Sequence, residues 1–97
     1  MKREVGKKVC KAEEKLPLQA LILAEEEKEK IKNAVNFEHL CQISDVRRMK
    51  GTNEPYYRLK FGDWRYMMYY DFKNETLEIL SLTNRKDTYK KHNLPWR

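Results

Sequence analysis

Cysteine is scarce in this 97-residue chain. The two present, Cys10 and Cys41, show no CxxC spacing and no clustered histidine. That is too few for a disulfide scaffold and gives no zinc pattern, so reduced thiols are expected, one or both half-buried, in a cytoplasmic protein. The N-terminal cations are not followed by the apolar core of roughly 7–15 residues that a signal peptide needs. The longest apolar run, Ala20 to Ala24, is far too short to span a bilayer. Histidine is also rare: His39 lies in the helical half and His92 in the tail, and each is assigned a structural or solvent role. No carboxylate pair, nucleophile–histidine couple or glycine-rich phosphate loop is visible, and no internal repeat or linker. No metal or cofactor is expected. The length allows one domain, residues 1–97, with no room for a second core.

Charge is abundant, at 37% of residues, but unevenly placed. Residues 1–46 carry nine Lys/Arg and nine Asp/Glu, whereas residues 47–97 carry twelve against six, which is the whole net charge of +6. A basic half of this kind favours a polyanionic partner such as nucleic acid, or an acidic protein. Apolar residues recur with period through the middle of the chain, which excludes global disorder.

Met1 to Val5 leave open whether a short strand precedes the helices. Gly6 to Leu16 reads as a first helix, with Val9, Ala12 and Leu16 at spacings of three and four. Pro17 breaks it and suits the first turn of a second helix, Leu18 to about Val35, which lacks internal Gly or Pro. Leu18, Leu21, Ile22, Ile31 and Val35 mark its expected buried stripe. The EEEKEK run from Glu25 to Lys30 reads as its wet face, with Glu26 and Lys30 in favourable order. Asn36 offers a cap for a short turn through Phe37, Leu40 and Ile43.

After Ser44 the pattern changes to strands. Val46 to Lys50 is a candidate, and Gly51-Thr52-Asn53 supplies turn chemistry. Tyr56 to Phe61 alternates, with Tyr57, Leu59 and Phe61 on one side and Tyr56, Arg58 and Lys60 on the other. Gly62-Asp63 has the spacing of a tight hairpin into Trp64–Asp71, whose two faces are both fairly apolar. Lys73-Asn74 turns into a third strand, Thr76 to Leu82. Arg85 to Lys91 reads as a last helical turn, and His92 to Arg97 as a tail without a derivable role. The architecture expected is α+β, an N-terminal helical hairpin packed on a three- to four-stranded antiparallel β-sheet. On the uncovered face Arg58, Lys60, Arg65, Arg85 and Tyr89 converge. Four cations and a phenol on a concave sheet suit a phosphodiester with a stacked base.

These residues resemble a known family. YYRLKFGDWRYMMYYD resembles the central hairpin of RelE/ParE-type toxins, and SLTNRKDTY is similar to the family's closing strand and Arg-Lys-Asp-x-Tyr motif. GKKVCKAEEKLPLQAL and RRMKG resemble its first helix, Leu-Pro junction and Lys-Gly strand, so the likeness covers residues 6–91. The resemblance implies the toxin of a type II toxin–antitoxin system. In its RelE-like branch, it implies a ribosome-dependent endoribonuclease that cuts messenger RNA and inhibits translation. Cleavage there is metal-independent: the ribose 2′-OH attacks the adjacent phosphate. The implied partners are a cognate antitoxin protein, the ribosome and mRNA, with no membrane and no cofactor.

Carried over position by position, the catalytic set is Lys60, Arg65, Arg85 and Tyr89, and the RNA-binding set is Arg58, Lys60 and Lys86. Arg65 would clamp phosphate, because guanidinium pairs with two oxygens. Lys60 would accept a proton, since an ammonium among other cations releases its own more readily. Arg85 would stabilise the transition state or leaving oxygen, and Tyr89 would orient the base or share the proton work. Thr83-Asn84 stands where many relatives carry Gly-His, which removes a histidine mechanism. Two alternatives share the fold: a ParE-like DNA gyrase inhibitor, and a non-catalytic member that only binds RNA or antitoxin. Tyr89 beside the four cations favours the nuclease.

Overall fold

Pro17 separates the first two helices, as its fixed φ and missing N–H dictate. In the computed structural model, which describes residues 1–87 and Leu94, α1 spans Lys7–Glu14 and α2 Leu18–Asn33. Pro17 lies at the head of α2, and its carbonyl accepts the Leu21 N–H at 2.9 Å. A short α3, Phe37–Ile43, follows with the expected cap: Asn36 Oδ1 accepts the His39 N–H at 2.8 Å. His39 has the structural role expected, its Nδ1 accepting the Val35 N–H at 3.1 Å.

The strands are β1 (Lys2–Val5), β2 (Asp45–Arg48), β3 (Tyr56–Phe61), β4 (Trp64–Asp71) and β5 (Thr76–Asn84), in the order β1-β5-β4-β3-β2. The sheet is therefore five-stranded and mixed, where a three- to four-stranded antiparallel one is expected from sequence. β2 through β5 pair antiparallel, but β1 runs parallel to β5, Lys2 to Val5 against Thr76 to Ile79. All four β1 residues are exposed. The segment thus carries no apolar alternation, the signal by which a strand is read. Gly6 ends β1 by donating its N–H to Ile79 O at 2.9 Å, and a Cβ there would lie 3.3 Å from the same oxygen. Glycine relieves the close approach to β5, where a side chain would force the neighbouring backbone to shift by a few tenths of an ångström.

The helices cover one face of the sheet, over a core that includes Val9, Leu40, Leu59, Tyr66, Met68, Leu77 and Ile79. The buried stripe of α2 differs from expectation. Ala20, Ala24, Glu27 and Ile31 face inward, while Leu18, Ile22 and Val35 are exposed and Leu21 is half-buried. The alanines let the helix backbone approach the sheet closely, and the larger side chains are rotated outward as a result. The Glu25–Lys30 run is correspondingly not all wet. Glu27 is buried, paired with Lys30 at 3.3 Å and accepting the Ser44 hydroxyl at 3.4 Å. Both cysteines are exposed rather than half-buried, since each follows a buried position of its helix and points away from the core.

Two irregularities set the faces of the central strands. Gly62 opens the β3–β4 turn with φ of 58°, the left-handed region glycine enters without strain. Between β4 and β5 the register slips: Met68 pairs with Ile79 but Met67 with Ser81, leaving Leu80 as the extra residue of a β-bulge. Strict alternation would send Ile79 and Leu82 to opposite faces. The bulge lets Leu77, Ile79 and Leu82 all join the helix-covered core.

Candidate nucleic-acid interface

The alternation of β3 and β4 sorts their side chains cleanly. Tyr57, Leu59 and Phe61 pack toward the helices, as do Trp64, Tyr66, Met68 and Tyr70. The intervening cross-strand pairs therefore share the other face: Lys60 opposite Arg65, Arg58 opposite Met67, and Tyr56 opposite Tyr69. Met67, although fully buried, lies outside the core cluster beneath the helices. Among the described residues no helix covers this second face.

Register carries the pattern across the sheet in two rows. Asp45, Lys60, Arg65 and Thr83 form one, and Arg47, Arg58, Met67 and Ser81 the next. Directly opposed residues in such rows hold their Cβ atoms about 4.5–5.5 Å apart. Lys60 and Arg65 are thus neighbours across the hairpin, and Arg58 is two residues from Lys60 on the same side of β3. These are three of the positions singled out in the sequence, brought together by strand pairing.

Each cation is held differently. Arg65 folds its Nη1 back onto the turn, donating to Gly62 O at 3.3 Å and Trp64 O at 3.0 Å. These contacts fix the guanidinium beside the hairpin. Arg85 follows β5, its backbone N–H donating to Asp63 O at 2.6 Å. Its side chain lies 3.8 Å from the Asp63 carboxylate, an exposed pair of little energetic weight. Arg85 is therefore anchored by backbone at the Lys60–Arg65 end of the face, with its head in solvent. Lys86 continues the same turn, its N–H donating to Asn84 Oδ1 at 3.1 Å. Lys60 itself is exposed.

Arg58 is the anomaly. Its Nη1 is buried yet has no hydrogen-bond partner among the described residues. A buried guanidinium donor without an acceptor is costly, and such groups are rare in folded proteins. Tyr89, and the part of the C-terminal helical turn beyond Asp87, lie outside the described residues, as do His92 and most of the tail.

Arg47 belongs to the same face and is absent from the candidate set read from sequence. It stands opposite Arg58, with its Nε 3.7 Å from the Asp45 carboxylate. A sequence signal for it existed. Val46 is the apolar residue of β2 and packs on the core, so its neighbours Asp45 and Arg47 must face the other way. Starting the strand at Val46 hides that alternation.

No family model and no curated protein matches the sequence. Solved structures do. The RelE–RelB complex from the archaeon Pyrococcus horikoshii OT3 contains a chain 25% identical, with a TM-score of 0.67 over 87% of this chain and 93% of that one. The RelB–RelE complex from Methanococcus jannaschii gives 20% identity and a TM-score of 0.61, over 91% and 96% of the two chains. The toxin–antitoxin complex RelBE2 from Mycobacterium tuberculosis gives 14% and 0.59, over 87% and 96%. The last two show likeness of fold alone.

Proposed function

The fold is RelE-like, and from that premise we propose that the chain is the toxin of a type II toxin–antitoxin system, acting as a ribosome-dependent mRNA endoribonuclease. The observation that carries this reading is the juxtaposition of Lys60 and Arg65 across one hairpin, with the buried Arg58 Nη1, which has no acceptor among the described residues, in the adjoining row. Three cations on a sheet face that no helix covers among the described residues fit an RNA phosphate, and phosphate oxygens would supply the acceptor that those residues do not give Arg58.

The chemistry needs no group beyond these side chains. The 2′-oxygen attacks the adjacent phosphorus as its proton leaves, the bond to the 5′-oxygen breaks, and that oxygen takes a proton. A 2′,3′-cyclic phosphate and a free 5′-hydroxyl result. Negative charge grows on the non-bridging oxygens, where Arg65, fixed by its turn carbonyls, would stabilise it. Lys60, which lies opposite Arg65, would have to receive the 2′ proton as its neutral amine, becoming the ammonium, and Arg85 would offset charge on the departing oxygen. Arg47, Arg58 and Lys86 would align the strand. Tyr89 is assigned the base, as the motif implies. The natural partner is a cognate antitoxin whose acidic segment covers the same cations, with affinity that falls as salt rises.

Primer extension on translating messages tests the proposal. Induction of the wild type should give cuts in phase with codons, and Arg65→Ala/Arg85→Ala should reduce them at least ~100-fold. Undiminished cuts in the double variant would overturn the assigned roles. Absence of cuts together with arrested supercoiling by gyrase would overturn the nuclease.

A further inference from the structure

The face that carries the cations is not basic throughout. One row beyond Arg58 and Met67, Tyr56 opposes Tyr69, Tyr69 opposes Glu78, and Glu78 opposes Glu4 on β1. The two tyrosine rings meet edge to face, centroids 5.1 Å apart. Glu54 joins them from the loop before β3, its carboxylate accepting the Tyr69 hydroxyl at 3.4 Å. Two adjoining concavities of about 380 and 370 Å³ share Tyr69 and Glu78 as a common wall. Among the described residues, Lys2 at the outer margin is the one cation lining them.

Glu4 and Glu78 call for an explanation. They are paired residues on adjacent strands, which lie about 4.8 Å apart, and they point to the same concavity. Neither has a hydrogen-bond or ion-pair partner among the described residues. Like charges directly opposed across a strand pair are destabilising. Around them are aromatic rings, whose faces attract cations, and a further carboxylate at Glu54. An RNA strand lying along this face would be drawn to Lys60 and Arg65 and repelled where it reached Glu78. The face therefore has two ends of opposite sign, and the second is complementary to a cation.

We infer that the Tyr56–Tyr69–Glu78–Glu4 row docks a basic, extended segment of a protein partner, seating an arginine or lysine side chain against the tyrosines and between the two glutamates. A peptide fits better than a free ion. The concavities run on from one to the other across Tyr69, and the row spans four strands, long enough for several residues of extended chain. An enzyme that acts inside a ribonucleoprotein meets RNA and basic protein segments together, and this face offers one end to each. The inference does not need the basic end to cleave RNA; it needs only the difference in sign.

Fluorescence anisotropy of a labelled oligoarginine peptide with the full chain tests it. Glu4→Gln/Glu78→Gln should weaken binding about tenfold, while Arg65→Ala leaves it within about twofold. The same glutamine pair should raise Tm, because it relieves an opposed like-charge pair, so lost binding cannot be mistaken for lost folding. Glu54→Gln, away from the β1–β5 seam, should weaken binding without that gain. A short oligoribonucleotide should bind the glutamine variant as well as the wild type. Peptide affinity indifferent to all three glutamates would overturn the inference. So would guanidinium or Mg²⁺ alone displacing the peptide at equal concentration, which would mark a small-cation site. Failure of the cleavage assay would leave these outcomes unaffected.

Discussion

The two faces of the sheet treat charge in opposite ways. On the covered face, Tyr66 is fully buried and donates its hydroxyl to Glu13 Oε2 at 2.5 Å. Lys28 closes the network from α2, 3.1 Å from Glu13 and 3.0 Å from Glu25. Polar groups there are matched, and they tie α1, α2 and β4 together. Among the described residues, Arg58 on the other face keeps a buried donor without an acceptor, and Glu4 and Glu78 oppose each other unpaired. Both faces come from the same strands by alternation, interrupted in β5 by the bulge at Leu80. Matched polar groups thus tie the covered side together, whereas the unmatched ones named here lie on the side proposed to meet partners.

The largest test of that contrast is Glu13→Ala. It leaves the Tyr66 hydroxyl and the Lys28 ammonium without their shared acceptor and should lower stability by about 2 kcal/mol, read from urea unfolding. Binding of a short RNA should not change. If RNA affinity fell as far as stability, the two faces would not be separable.

How much was legible in sequence follows the same division. The Pro17 break, the Asn36 cap, the Gly62 turn and the alternation of β3 are local signals, and each stands where the residues place it. The pairing of Lys60 with Arg65 followed from a hairpin of known length. The likeness to RelE, read from motifs in order, is borne out by the solved structures. What was illegible is non-local. β1 owes its place to a parallel partner more than seventy residues away. The inward turn of Glu27 and the exposure of Leu18 and Ile22 depend on how closely α2 approaches β3, which periodicity does not encode. The row from Glu4 to Tyr56 needs β1, so it was invisible once β1 was left open.

Alkali should act on the covered face first. Burial foremost, then the Glu13 hydrogen bond, pushes the Tyr66 phenol well above its ordinary 10.0. Burial pulls the Lys28 ammonium down, but its bonds to Glu25 and Glu13 outweigh that and leave it raised from 10.5. A group raised in the folded state gives stability that is complete below its unfolded pKa and lost as pH climbs toward the folded value. Stability should therefore fall above pH 10, by up to about 1.4 kcal/mol per pH unit for Tyr66. Tyr66→Phe should flatten the decline between pH 10 and 11.5 in urea midpoints. Tyr69 and Tyr70, which partial burial and nearby carboxylates also raise, keep a residual slope. An unchanged slope in the variant would place the alkaline sensitivity outside the Glu13 network.

The smallest expected change in stability sharpens the comparison most. Arg58→Met keeps the aliphatic length of the side chain and removes a guanidinium whose Nη1 is buried without an acceptor among the described residues. If that group is held ready for a phosphate, its loss should leave stability within about 1 kcal/mol of wild type, or above it. The function should register the change instead. Affinity for single-stranded RNA should drop, and the slope of log affinity against log salt should shrink by about 0.7, the share of one phosphate contact. Filter binding across a salt series beside urea unfolding of the same variant separates the two readouts. A loss of more than about 2 kcal/mol with an unchanged salt slope would make Arg58 a structural residue. The uncovered face would then owe its cations to folding, and the contrast between the two sides of the sheet would fail at its central residue.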